Sequence, residues 1–287
     1  MSVRHMLVML ALVVAAVWPL RVIGEESLLL SAPLQPGTAV MLSVPGFPQG
    51  SRFEGKLADK AFPFTPEGQA LLALDMESKP GPRLLEVKVR PPTGAEVILK
   101  QKLTISKRDY KVEELTLPEK KVDLDPDDAA RAGRENAAIK AVYQRRDGRV
   151  GFTGGFRMPV TGRFSGVFGS RRLLNGQMRS PHNGVDIAAP EGTPVVATAP
   201  GTVALVGQDY FFTGNTLLVD HGHGIISLYA HLRDVRVAPG QWLPEGSLIA
   251  TVGMTGRATG PHLHWGVTVR GERVDPARLP GIDSQER

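Results

Sequence analysis

The sequence predicts a mainly β protein, with two β domains joined by a connector that contains a helix. Glycine (32 residues) and proline (23 residues) are frequent among the 287 residues, so the chain turns often. Turn-rich chains with short apolar segments are typical of β architectures. Lysine is absent between residues 150 and 280, where arginine is frequent. This shift in composition indicates two modules.

Composition also excludes several classes of protein. Hydrophobic residues make up 42% and charged residues 22% of the chain, which excludes a wholly disordered chain or a coiled-coil rod. There is no cysteine, so disulfides, cysteine-ligated zinc, iron–sulfur clusters and a cysteine nucleophile are excluded. The formal net charge of +5 is too small to indicate nucleic acid, and we expect no nucleic-acid partner.

The N-terminus has the pattern of an export signal. Arg4 and His5 precede an uncharged apolar run from Met6 to Leu20, which is shorter than the ~18 residues expected of a membrane-spanning helix. We expect residues 1–24 to be a signal peptide, with the mature chain starting near Glu25. The protein would then be exported to the periplasm or cell envelope, with no transmembrane domain in the mature chain. Retention of the segment as an anchor is the alternative.

Residues 28–107 are predicted to form a small β-sandwich-like domain. Proline and glycine turns separate short strands that we expect at Ala39–Val44, Leu84–Val89 and Glu96–Ile105. The domain has no histidine, so we assign it no chemistry and expect a role in packing, positioning or self-inhibition. The apolar residues available for its core are Phe53, Phe62, Phe64, Leu71, Leu72 and Leu74.

Residues 108–149 are predicted to be a connector with one helix at about residues 126–143. Asp125 can cap the helix, and Pro126 suits its first turn. Asp127 and Asp128 complement the positive end of the helix dipole. Alanines and Val142 continue an apolar stripe at helical spacing.

The remaining domain, residues 150–280, carries the residues that suggest chemistry. Six of the seven histidines lie between residues 182 and 264. After His262, apolar residues alternate with polar or small ones, which predicts a strand with His262 and His264 on one face, about 7 Å apart. One imidazole could then ligate a metal while the other acts on its water. A polar, exposed strand face is the alternative.

His182 and Asp186 form a second candidate pair. Gly184 interrupts any helix, and Val185 and Ile187 favour extended structure, so we expect a loop carrying His182 into a strand carrying Asp186. Imidazole and carboxylate are zinc ligands, and with His264 they make three protein ligands and leave an open position, as in catalytic zinc sites. A capping or surface pair is the alternative.

The third element is a predicted strand–turn–strand unit, Leu217–Val219 and Ile225–His231. Alternation places Tyr229 and His231 on one face, where both would line a cleft. His221 and His223 lie in the turn and are competing metal ligands, although exposed or capping roles are more typical of such positions.

These pieces belong to an ordered series of motifs between about residues 164 and 276. The series consists of Phe168–Arg171, His182–Asp186, Gly192–Val195, Ala199–Val203, Gly214–Asn215, Asp220–Gly222, Tyr229–Leu232, Gly253–Gly256 and Thr259–His264. It resembles the lysostaphin/LytM-type zinc metallopeptidases. The N-terminal module is similar, more weakly, to the β domain that precedes some of these peptidase domains.

The resemblance implies one Zn²⁺ per chain, bound by His182, Asp186 and His264. It implies His231 and His262 as a second, catalytic pair. It also implies an antiparallel β fold of the duplicated hybrid motif type with a groove, and hydrolysis of peptide bonds in bacterial peptidoglycan. Because all five positions are filled, we expect an active zinc metalloendopeptidase, in which His262 takes a proton from water and His231 donates a hydrogen bond to the oxyanion.

Other expectations are less specific. We expect residues 207–212 to form a loop that is one wall of the groove, with Tyr210 or Phe211 touching substrate. Tyr229 and Arg171 are expected to be further substrate contacts. The N-terminal module is expected to restrict access to the groove, as an intramolecular inhibitor. The alternatives for the whole protein are a non-hydrolytic zinc-binding regulator of another cell-wall hydrolase and a structural envelope-binding module.

The export signal can be tested directly. We expect N-terminal sequencing of the protein from an envelope fraction to find a mature chain that starts near Glu25. An intact Met1 in a cytoplasmic pool would contradict this expectation.

Overall fold

The computed structural model describes residues 28–115, 125–146, 148–152, 154–174, 177–178 and 180–282. The predicted signal peptide, residues 1–24, lies outside the described residues. None of the helices in these described residues is long and apolar enough to cross a membrane. The described residues are mostly β-strand, and the predicted mainly β class is confirmed.

The described part of the chain contains twenty strands, one α-helix and a short 3₁₀ helix at Pro276–Arg278. In order these are β1 Leu29–Leu30, β2 Thr38–Ser43, β3 Arg52–Leu57, β4 Lys60–Phe62, β5 Gln69–Leu74, β6 Gly81–Arg90, β7 Val97–Ile105, β8 Val112–Leu115, α1 Pro126–Tyr143, β9 Arg163–Gly166, β10 Arg171–Leu174, β11 Gln177–Met178, β12 Val185–Ala188, β13 Pro194–Val196, β14 Gly201–Tyr210, β15 Gly214–Asp220, β16 Ile225–Val235, β17 Trp242–Leu243, β18 Leu248–Val252, β19 His262–Val269 and β20 Glu272–Val274.

The N-terminal strands form the two layers of a sandwich. One sheet has the order β1-β2-β5 and the other the order β4-β3-β6-β7, with antiparallel pairing throughout. Leu42 and Leu72 of the first sheet and Leu85 and Val87 of the second are buried in one cluster between the layers. The predicted sandwich-like domain is therefore present.

In the first sheet, strands β2 and β5 are buried on both faces. In β5, Leu72 faces the sandwich core, but Leu71 and Ala73 pack in the cluster that forms the core of the C-terminal domain. A strand that is covered by other structure on both faces of its sheet has apolar residues at consecutive positions, as β5 does. Leu71 was expected in the sandwich core, but it lies on the opposite face of β5 because neighbouring side chains alternate. The N-terminal domain thus contributes one face of its first sheet to the core of the C-terminal domain.

Ion pairs reinforce this junction around the β19–β20 hairpin. The Arg273 guanidinium donates to both carboxylate oxygens of Asp75, at 2.9 and 2.7 Å, and the Arg273 backbone N–H donates to the same carboxylate at 3.0 Å. Glu272 accepts from the Asp75 backbone N–H at 2.9 Å, and Arg108 donates to Asp275 at 2.7 Å. The N-terminal domain therefore holds the hairpin that follows β19.

Helix α1 covers the range that the sequence predicts. The Asp125 side chain accepts from the backbone N–H groups of Asp127 and Asp128 at 3.0 and 2.9 Å, which confirms the predicted cap. Its buried residues Ile139 and Val142 pack against the C-terminal sheet, in a cluster that also contains Leu218, Ile226, Leu228 and Ala230.

The C-terminal domain is organised by one antiparallel sheet of order β17-β14-β15-β16-β19-β12-β9, to which β13, β18 and β20 are added. Leu263 and Trp265 of β19 face the core and are fully buried. His264 lies between them and therefore points to the other face, in register with Ala230 of β16 and Asp186 of β12. We call this second face of the sheet the metal-side face.

The Asp75–Arg273 pair should contribute measurably to stability. Burial alone would raise the pKa of Asp75, but the hydrogen bonds from Arg273 outweigh it and lower that pKa. We expect Asp75→Asn to reduce the free energy of unfolding by about 1–3 kcal/mol at pH 7. The stabilisation by Asp75 is fully present above the ordinary pKa of an aspartate and is lost as the pH falls through the lowered pKa of Asp75. The difference in the free energy of unfolding between wild type and Asp75→Asn should therefore shrink in acid.

Urea denaturation at neutral and acidic pH measures this gap. Glu77→Gln is the matched control, because Glu77 contacts the same Arg273 but its side chain is 54% exposed, and exposed pairs contribute only about 0–1 kcal/mol. Equal losses from the two variants would contradict the assignment of the junction to Asp75.

Candidate metal centre and active site

Three predicted ligands meet on the metal-side face. Asp186 of β12 is the cross-strand partner of His264 of β19, and the loop before β12 brings in His182. The Oδ1 atom of Asp186 lies 2.8 Å from His264 Nδ1 and 3.1 Å from His182 Nε2. The two imidazole nitrogens are 3.0 Å apart. The expected loop-to-strand placement of His182 and Asp186 is thus found.

Backbone contacts orient the His182 ring. The His182 N–H donates to the Ser170 carbonyl at 2.9 Å, and the Gly169 N–H donates to the His182 carbonyl at 2.8 Å. In the ring, Nδ1 lies 3.0 Å from the Val167 carbonyl oxygen, which can only accept a hydrogen bond. The ring proton is therefore on Nδ1, and Nε2 presents a lone pair to Asp186 and His264.

The electrostatics of the cluster suit a bound cation. Burial would raise the pKa of Asp186, but its close contacts with the His182 and His264 rings outweigh this effect and hold that pKa well below its usual range. Burial lowers the pKa of His264, which keeps its ring neutral at neutral pH. Two imidazole nitrogens and one carboxylate oxygen all lie within 4.8 Å of one another. This donor set fits a divalent metal with three protein ligands and an open position.

His231 and His262 lie beside the cluster, with ring centroids 4.6 Å apart. His262 Nδ1 donates to the Gly260 carbonyl at 2.8 Å, and its Nε2 is 3.9 Å from Asp186 Oδ1. His231 Nδ1 donates to the Thr255 carbonyl at 2.9 Å. Burial lowers the pKa of His231 to about 4, so the ring is neutral at pH 7. In the neutral tautomer that these contacts select, each ring carries its proton on Nδ1 and presents Nε2 as an acceptor.

A local irregularity of β16 brings His231 to this site. His231 has φ +60°, and its N–H donates to the Thr213 carbonyl at 2.8 Å. The pairing of β16 with β15 and with β18 shifts register next to it. Bulges of this kind re-aim a side chain. The expectation that Tyr229 lines the cleft with His231 is wrong, because the alternation breaks at His231. Tyr229 is fully buried in the core, and its hydroxyl accepts from the Thr198 N–H at 3.1 Å.

The turn histidines are outside the cluster. His221 is fully buried, and its Nδ1 donates to the Pro200 carbonyl at 2.8 Å while its Nε2 accepts from the Ser227 hydroxyl at 2.7 Å. Both ring nitrogens are thus engaged. The expectation of an exposed or capping side chain is wrong for His221, which is a structural residue under the turn. His223 is half-buried, at φ +54° in the same turn.

The other residues predicted to contact substrate are in the segment 207–212 and at Arg171, and the structure shows them in contact with other parts of the protein. Residues 207–210 belong to β14 instead of a loop, and only 211–213 form the turn to β15. The Tyr210 ring lies over Gly207 and packs in the cluster under α1. Arg171 forms an ion pair with Glu77 of the N-terminal domain at 3.7 Å. Substrate contact by Tyr210 or Arg171 stays a prediction.

Sequence reasoning missed the groups that hold the second pair of histidines. They are backbone carbonyls, at Thr255 and Gly260, and a carbonyl has no residue-type signature. The Thr255 hydroxyl also donates to the Leu232 carbonyl and accepts from the Asn215 N–H, which ties the loop to β15 and β16.

Comparisons with known proteins agree with this geometry. The profile of Peptidase family M23 matches residues 180–276. A crystal structure of a Pseudomonas aeruginosa protein described as a peptidase M23 aligns with 88% of this chain and 96% of its own, at 33% identity and a TM-score of 0.66. The chain therefore belongs to peptidase family M23, and the resemblance noted in the sequence is confirmed.

Curated relatives match over the C-terminal part. The peptidoglycan DD-endopeptidase ShyA of Vibrio cholerae is 40% identical over 133 residues, which are 45% of this chain and 31% of the relative. The DD-carboxypeptidase/endopeptidase Mpg of Neisseria meningitidis is 40% identical over 136 residues, which are 46% of this chain and 31% of the relative. The chain thus spans about a third of the length of these relatives.

The structural role of His221 predicts a pH dependence. Burial lowers its pKa to about 4, against about 6.5 in the unfolded chain. The folded state therefore binds the His221 proton more weakly, and stability is lost as the pH falls from about 6.5 towards 4, by roughly 3 kcal/mol at most. His221→Gln has no titrating group at this position, so its stability should not change with pH in this way. We expect its free energy of unfolding to lie below that of wild type at pH 7.5, and the difference to be smaller at pH 4.5.

Chemical denaturation of wild type, His221→Gln and His223→Gln at both pH values measures this difference. His223 is the control because it lies in the same turn but is half-buried. A gap between wild type and His221→Gln that does not change with pH would contradict the buried, neutral His221.

Proposed function

We propose that this chain is a zinc-dependent endopeptidase that hydrolyses peptide bonds in bacterial peptidoglycan. The observation that carries the proposal is the convergence of three metal-ligand atoms, from His182, Asp186 and His264, next to two further histidines whose Nδ1 atoms are bonded to backbone carbonyls. Family membership and the names of the relatives support a cell-wall peptidase. The proposed substrates are stem peptides or their cross-links.

His182, Asp186 and His264 would hold one zinc ion. The two nitrogens and one oxygen are the donor types that zinc prefers, and three protein ligands leave room for a reactant. When bound, the metal would supply Lewis-acid chemistry, which polarises a carbonyl and makes water a nucleophile at neutral pH.

His262 is the proposed proton acceptor. Its Nδ1–H is held by the Gly260 carbonyl, so Nε2 carries the lone pair and lies on the Asp186 side of the ring. In the proposed reaction, Nε2 takes a proton from the attacking water and gives it to the nitrogen of the leaving amine. General acid–base assistance of this kind is typically worth roughly 10²–10⁴-fold in rate.

The role of His231 follows from its tautomer. Because Nδ1–H donates to the Thr255 carbonyl, Nε2 of the neutral ring can only accept a hydrogen bond. His231 would therefore donate to a developing oxyanion only after taking up a proton itself. The centroids of the His231 and His262 rings are 4.6 Å apart. At this distance His231 is suited to orient the reacting water and to share with His262 the proton that the water releases.

We further propose that the protein acts outside the cytoplasm, where peptidoglycan is accessible. The apolar run Met6–Leu20 and the cell-wall relatives support this location. For the N-terminal domain we favour a positioning role over the expected restriction of access. Its residues Leu71 and Ala73 pack on the core face of the C-terminal sheet, which is opposite to the metal-side face. Its Glu77 also forms an ion pair with Arg171.

Two substitutions within the H-x-H motif separate the proposed roles. His264→Ala should lose metal and activity together. His262→Ala should retain zinc, because three ligands remain, while kcat falls about 10²–10⁴-fold, equivalent to about 3–5 kcal/mol of transition-state stabilisation. Elemental analysis for zinc, paired with kcat on a cross-linked muropeptide, measures both effects.

His223→Ala is the control, since His223 lies outside the cluster and both zinc and kcat should be near normal. A zinc-free His262→Ala, or one with near-normal turnover, would refute the assignment. Wild-type protein that holds zinc but releases no muropeptide would favour the alternative of a non-hydrolytic regulator.

A further inference from the structure

Arg163 is an ionisable residue on the metal-side face, at the edge of the sheet. Arg163 of β9 is the cross-strand partner of Ala188 of β12, and Ala188 is the partner of His262 of β19. Directly paired residues of antiparallel strands share a face. The neighbouring Phe164 is the partner of Ile187 and packs on the core, so Arg163 lies on the opposite side from the core.

Arg163 is close enough to reach a molecule bound at the site. Neighbouring strands are about 4.8 Å apart, so the Arg163 and His262 backbones are separated by about 10 Å, or two strand spacings. Ala188, the residue paired with both of them, carries only a methyl group. Arg163 lies on β9, the last strand in the order of the sheet, and is exposed, and a long arginine side chain can extend across such a distance.

The guanidinium of Arg163 has no anionic partner among the described residues, and its side chain is exposed. Other arginines at the edges of the domain differ: Arg171 pairs with Glu77, and Arg273 pairs with Asp75. The nearby acid Asp186 is already engaged by His182 and His264. Arg163 is therefore a cation with all five N–H donors available, beside a site that would receive a peptide.

We propose that Arg163 binds a free carboxylate of the substrate peptide close to the scissile bond and so selects acidic peptides. The inference rests on the proposed peptidase function. A planar guanidinium binds a carboxylate through two parallel hydrogen bonds, which gives orientation as well as affinity. Stem peptides with free carboxylates supply such a group, and an amidated peptide does not.

Two substrates and three variants test this selectivity. The substrates are cross-linked muropeptides of identical sequence, one with free and one with amidated carboxylates. For Arg163→Gln we expect KM on the free-carboxylate peptide to rise about tenfold, with kcat largely kept and the amidated peptide unaffected. Arg163→Lys should recover part of the loss, since it keeps the charge without the planar fork. Arg236→Gln is the control, because this exposed arginine follows β16 and already has an anionic partner, Asp234, at 3.1 Å.

Equilibrium binding of both peptides to wild type and Arg163→Gln, measured by fluorescence anisotropy, decides the inference separately from catalysis. If wild type binds the free-carboxylate peptide better, Arg163→Gln abolishes that preference, and no peptide is cleaved, then the carboxylate site stands and the proposed hydrolysis fails. Equal effects of Arg163→Gln on the two peptides, or no effect on either, would overturn the inference. Circular dichroism of each variant checks that it is folded.

Discussion

The cross-strand pair of Asp186 and His264 is the contact on which the site depends. It exists because β12 and β19 are hydrogen-bonded neighbours in one register, which places the carboxylate 2.8 Å from the imidazole. Slipping either strand by one residue would turn its ligand into the core. That register is stabilised on the opposite face, where Leu263 and Trp265 of β19 and Val185 of β12 are buried. The apolar core therefore determines the chemistry of the polar face.

The other site residues are attached to this pair by less regular structure. His182 comes from a loop whose backbone is bonded to Gly169 and Ser170, and His231 reaches the site through a strained backbone conformation in β16. A non-glycine residue with positive φ costs free energy and persists only where its surroundings over-determine it. Here those surroundings are the Thr213 and Thr255 carbonyls. Such strain is common where function needs a side chain off the regular pattern.

Periodicity in the sequence predicted the regular elements well. The helix and its Asp125 cap, the strand that begins at His262 and the loop-to-strand path from His182 to Asp186 follow from short-range chemistry. The errors occur where long-range contacts override that pattern. Tyr229 was placed in the cleft because period-2 alternation was extended through a bulge, and Leu71 was assigned to the wrong side of a strand that is buried on both faces.

The sequence by itself determined the mainly β class, the position of the helix and the identity of five chemically capable residues, because residue type and local spacing are written directly in the chain. Only the tertiary structure decided which of the six clustered histidines come together. It placed His221 under a turn with both ring nitrogens bonded, set the Nδ1–H tautomers of His231 and His262 through backbone carbonyls, and put Arg163 in one row with His262. These arrangements depend on strand order and register between segments far apart in the chain, and local sequence carries little information about either.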